Sequence, residues 1–125
     1  MSFSKKYLQE CVEICNTINP DEIEDMANLI NSVRSESGRI FFLGVGGGAG
    51  HASHAVNDFR KICNIESYAP TDNVSELTAR VNDDGWDTCY VNWLKGSKIS
   101  NKDLIFVFSV GGGNLEKNIR VNILK

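Results

Sequence analysis

"RIFFLGVGGGAGHASHAVNDF", residues 39–59, decides the fold. Residues 39–44 are an apolar run without alternation, the pattern of a strand covered on both faces in a parallel sheet. Glycine then stands at positions 44, 46, 47, 48 and 50, and from about residue 50 to residue 63 the spacing predicts a helix. The order strand, glycine run, helix recurs in "DLIFVFSVGGGNLEKNI", residues 103–119, with a strand expected over about 104–108 and a further helix after the glycines. Strands joined through helices lie parallel with right-handed crossovers. Ligands in such sheets bind beyond the carboxyl ends of the strands, where both glycine runs must lie.

Working outward, Phe3, Tyr7, Leu8, Cys11, Val12, Cys15 and Ile18 mark one helical stripe, and Ile23, Met26, Ala27, Ile30 and Val33 a second. Asn19 and Pro20 suit the start of the second helix, and Gly38 its end. "ESYAP" is a candidate short strand. Asn73 with Glu76 forms a capping-box arrangement opening another helix, and Trp86, Tyr90, Trp93 and Leu94 line one side of a later one. The chain is α/β, with an N-terminal helical segment over 1–37 and an α/β domain over 38–125 that lacks partners for its sheet edge.

The 125 residues are the size of one domain, and 42% hydrophobic with 23% charged residues is an ordinary globular composition. A net charge of −3 with mixed signs provides no basic stripe for a phosphate backbone, so nucleic acid is not an expected partner. No apolar run approaches the ~20 residues of a membrane span, and no signal-peptide block opens the chain, which reads as cytoplasmic. Cys11, Cys15, Cys63 and Cys89 lack zinc or redox spacing and read as buried free thiols.

A glycine run entering a helix N-terminus directs unpaired backbone N–H groups at an anion, unless the glycines merely make a tight turn. Gly44, Gly46 and Ala49 fit the loose dinucleotide fingerprint, which leaves a nucleotide-binding domain as one alternative. A P-loop is excluded, because neither run is followed by Lys and Ser or Thr. His54 and Asp58 fall one turn apart on one helix face. So placed they can grip a divalent metal, act as acid and base on one substrate, or form an exposed hydrogen-bonded pair. His51 reads as structural or as a loop contact.

These motifs, with "TDNVSELTARVNDDGW" between them, resemble the sugar isomerase (SIS) domain family and, within it, the phosphoheptose isomerases. The resemblance implies a flavodoxin-like three-layer α/β/α sandwich with a parallel sheet, truncated at its C-terminus relative to the family. It implies a homotetramer that interconverts sedoheptulose 7-phosphate and a glycero-manno-heptose 7-phosphate. It also implies Zn²⁺ held by His54 and Asp58, with Asp58 as the base. Substrate contacts would come from Val45, Gly46, Gly47 and Gly48, and from Asn82 and Asp83. A phosphate loop would comprise Ser109, Val110, Gly111, Gly112, Gly113 and Asn114. The departures are a shorter carboxylate at position 58, the loss of most phosphate-loop hydroxyls, and the absence of a glutamine and a second histidine from the ligand set. The other reading of the resemblance is a non-catalytic sugar-phosphate sensor or scaffold.

Overall fold

The computed structural model describes residues 1–119 and 121–124. The chain divides into two compact units, Met1–Asn31 and Ser32–Lys125. The first contains α1 (Phe3–Thr17) and most of α2 (Pro20–Ser35). Asn19 Oδ1 accepts the Asp21 amide at 3.0 Å, which meets one orphan donor at the start of α2. No residue of α1 is buried, and Phe3, Tyr7, Leu8, Val12 and Ile18 of the expected stripe are all exposed.

The second unit is built on three parallel strands in the order β2-β1-β3, namely β1 (Ile40–Gly44), β2 (Ser67–Tyr68) and β3 (Leu104–Phe108). Parallel neighbours need crossovers. α3 (Gly47–Lys61) joins β1 to β2, while α4 (Val74–Asp84) and α5 (Cys89–Gly96) lie between β2 and β3. Asn73 Oδ1 accepts the Glu76 amide at 3.1 Å, the cap anticipated for α4.

Every residue of β1 is buried, as its unbroken apolar run requires. Side chains alternate across the strand, so Phe42 packs on Phe59 of α3 and on Phe106 and Phe108 of β3. Phe41 and Leu43 face the other way, into a core with Cys89, Tyr90, Trp93 and Leu94 of α5. Helices thus cover both faces of the central strand, giving the three-layer α/β arrangement. Burial of each such large side chain contributes about 1.5–3 kcal/mol. On β3 the alternation leaves Ile105 and Val107 exposed at the sheet edge.

Two expectations are corrected. The helix anticipated after the second glycine run does not form there: Asn114 Oδ1 takes the Lys117 amide, Asn118 turns to φ 53°, and an antiparallel bridge pairs Asn114 with Ile119. Among the described residues a short helix, α6 (Val121–Leu124), follows. The four cysteines are free, but Cys89 alone is buried; Cys11 and Cys15 sit on a helix without buried residues, and Cys63 just beyond the end of α3. Among the described residues no helix is long and apolar enough to cross a membrane.

The β1–β3 pair is tied at its amino end by Arg39 and Asp103. The Arg39 guanidinium donates to Asp103 through Nε at 3.1 Å and Nη2 at 2.8 Å, and the Arg39 amide adds a third bond at 2.9 Å. Ser100 supplies its amide and hydroxyl to the same carboxylate, whose side chain is only 2% exposed. Hydrogen bonding to the Arg39 guanidinium, opposed by burial and helped by the Ser100 and Arg39 amides, holds the Asp103 carboxyl well below the usual range. The folded state therefore keeps Asp103 ionised where the unfolded chain would take up a proton. Its stabilisation is complete above about pH 4 and is lost as pH falls toward the depressed folded value. Asp103→Asn should lower stability by on the order of 3 kcal/mol in urea unfolding at pH 7, and its stability should decline less steeply below about pH 4 than that of the wild type.

Candidate functional site

Both glycine runs leave the carboxyl ends of neighbouring strands, and they meet. The first is shorter than its sequence suggests, because α3 already begins at Gly47 and only Val45 and Gly46 turn the chain. Gly46 makes the turn at φ 59°, in the left-handed region that glycine enters without strain. The Gly48 amide bonds the Val45 carbonyl and the Gly50 amide that of Gly46, leaving the Gly46 and Gly47 amides without an acceptor among the described residues. These are the outward-facing donors that an anion at a helix start would meet.

The second turn runs from the end of β3 through Ser109 to Gly113. Ser109 Oγ accepts the Gly112 amide at 3.0 Å and closes it. Contact between the turns is backbone to backbone: a Cβ on Gly48 would lie 2.5 Å from the Phe108 carbonyl oxygen. Below, the buried Tyr90 hydroxyl donates to the Gly44 carbonyl at 2.7 Å and anchors the first turn to α5. Burial, reinforced by Cys89, pushes the Tyr90 hydroxyl up to about 12, so it remains a protonated donor across the physiological range.

Between the turns lies a cavity of about 420 Å³ lined by Val45, Gly47, Gly48, His51, Phe108, Ser109 and Val110. A second cavity of about 520 Å³ runs along α3 and takes in His54, Asp58 and Phe59. The two share Gly47, His51 and Phe108. His54 Nε2 lies 3.2 Å from Asp58 Oδ2, and Asn57 Nδ2 donates to Asp58 Oδ1 at 3.1 Å. A carboxylate has about four lone-pair sites, so Asp58 can still accept from a ligand in the groove.

The structure thus gathers Val45, Gly47, Gly48, Ser109 and Val110 around one cavity and sets His54 and Asp58 beside the next. Gly46 sits at the turn itself, while Gly111 does not line the cavity. Asn114 is held in its own turn. Asn82 and Asp83 bond one another on the exposed final turn of α4 and line neither cavity. The anchoring Tyr90 was invisible as a site residue in the sequence, because it lies 46 positions from Gly44 and looks like any core aromatic.

Tetrahedral zinc takes four donors. Here the described residues include no group of three His, Cys, Asp or Glu able to hold a metal. His54 and Asp58, bonded to each other, provide two donors and do not by themselves fit such an ion.

The fold has a solved counterpart. Phosphoheptose isomerase GmhA from Neisseria gonorrhoeae superposes with a TM-score of 0.68 at 20% sequence identity. The match covers 98% of this chain and 66% of that one, so the chain spans about two thirds of its length. Likeness at this identity shows a shared fold. No family model and no curated protein matches the sequence.

The close approach of the two turns is open to a direct check. Gly48→Ala should force them apart and lower stability by about 1–3 kcal/mol, read as an earlier thermal midpoint, because its methyl group meets a backbone carbonyl that no rotamer change can move.

Proposed function

We propose that the chain binds a phosphorylated sugar and interconverts its aldose and ketose forms, with sedoheptulose 7-phosphate as substrate and a glycero-manno-heptose 7-phosphate as product. The observation that carries this reading is the pair of adjoining cavities. One is walled by two backbone turns suited to an anion, and the other presents a carboxylate and an imidazole one helical turn apart. A ligand with a phosphoryl group at one end and a carbonyl at the other matches that division. The fold shared with a phosphoheptose isomerase supports it.

In this reading the phosphoryl oxygens accept from the Gly46 and Gly47 amides at the positive end of the α3 dipole. The sugar then extends along α3. Asp58 removes the proton from the carbon beside the carbonyl, and the C–H electron pair forms the carbon–carbon double bond of an enediolate. The same carboxyl returns the proton to the neighbouring carbon, while a hydroxyl proton passes between the two oxygens. His54 holds the Asp58 carboxylate toward the groove through its 3.2 Å contact. Assembly as a homotetramer, with a zinc ion completed by donors outside this pair, belongs to the same proposal.

A second reading, a sugar-phosphate sensor without turnover, is favoured by one observation. Ser109 supplies the only hydroxyl among the residues lining the loop cavity, so the hydroxyl-rich phosphate loop implied by the resemblance is largely missing.

Proton NMR in D₂O separates the two readings. An isomerase incorporates deuterium at the carbon beside the carbonyl of sedoheptulose 7-phosphate, and a sensor binds the sugar without exchange. Asp58→Asn should reduce exchange at least about 100-fold while leaving binding largely intact; full exchange in that variant removes Asp58 as the base. Gly47→Val should do the reverse. A Cβ there meets nothing within 4 Å, so the fold tolerates it while the side chain intrudes where both cavities meet, and sugar-phosphate binding should weaken. Unchanged affinity would take the loop cavity out of the account.

A further inference from the structure

Resting on the reading of the loop cavity as the phosphoryl site, we propose that His51 recognises a hydroxyl in the middle of the sugar chain and so distinguishes sugar phosphates from simpler phosphates. Its position leads to this. Of the three residues common to both cavities, Gly47 has no side chain and Phe108 is apolar, so His51 alone brings side-chain polar atoms to the junction. A ligand reaching from one cavity to the other must pass it.

The imidazole is also held in a defined state. His51 Nδ1 lies 2.8 Å from the Gly47 carbonyl. A carbonyl only accepts, so Nδ1 carries the proton, and in the neutral ring Nε2 is left as an acceptor. The ring is further placed by Phe108, with centroids 5.9 Å apart and planes inclined by 30°. A preorganised acceptor beside the apolar Phe108 ring suits a sugar hydroxyl where the chain passes from one cavity to the other. Inorganic phosphate, confined to the loop cavity, has no hydroxyl chain to present there.

The test compares two probes, sedoheptulose 7-phosphate and inorganic phosphate, titrated into the wild type, His51→Phe and His51→Gln, with circular dichroism to verify folding. His51 is exposed, so neither substitution disturbs the core. His51→Phe should weaken sugar-phosphate binding about tenfold, the scale of one lost hydrogen bond, and leave inorganic phosphate unchanged. His51→Gln, whose amide oxygen can accept, should recover most of the loss. Equal weakening for both probes would make His51 part of the phosphoryl site, and unchanged affinity for both would give it no role; either result overturns the proposal. Failure of the wild type to bind either probe would instead overturn the reading of the loop cavity, and this inference with it.

Discussion

The pairing of β1 with β3 is the constraint on which the rest of this structure depends. It is held in register at one end by charge and at the other by close backbone contact. At the amino end a guanidinium donates two parallel hydrogen bonds to a nearly inaccessible carboxylate, which also accepts the backbone amides of Arg39 and Ser100. At the carboxyl end Gly48 lets the start of α3 approach the Phe108 carbonyl more closely than any side chain would permit. A slip of one residue would exchange the Phe42 face with the Phe41 face and pull the two turns apart. The register that packs the core is therefore the one that builds the cavity.

From that pairing the site follows in steps. Parallel strands send both turns to the same end of the sheet, and adjacency brings them into contact. The helix leaving the first turn carries Gly47, His51, His54 and Asp58 successively away from it. A ligand bound at the turns would thus meet amide hydrogens first, an imidazole next, and a carboxylate last. Tyr90 adds the remaining tie, because its hydroxyl fixes the first turn to the helix on the opposite face of the sheet. Core and site share this side chain.

Much of this was legible in the chain itself, and the remainder was hidden for physical reasons. The unbroken run 39–44 announced a doubly covered strand, and Asn73 announced the start of α4, because both signals are local. Glycine's poor helix propensity concealed the true start of α3, which tertiary packing on the sheet brings forward to Gly47. The second glycine run misled by likeness to the first. Asn114 begins a turn as a cap would, but Asn118 reverses the backbone before a helix can propagate. The contact of His54 with Asp58 on one face of α3 was foreseeable from their spacing. The junction occupied by His51 was not, since it exists only once the two turns are side by side.

The central proposal is that the cavity between the two backbone turns takes one phosphoryl group. The most direct measurement follows amide resonances while sedoheptulose 7-phosphate is titrated into the isotope-labelled chain. The account predicts that the amides of Gly46 and Gly47 in the first turn and of Ser109 and Val110 in the second shift along a single saturation curve. Shifts confined to one turn, or different curves for the two, would contradict it.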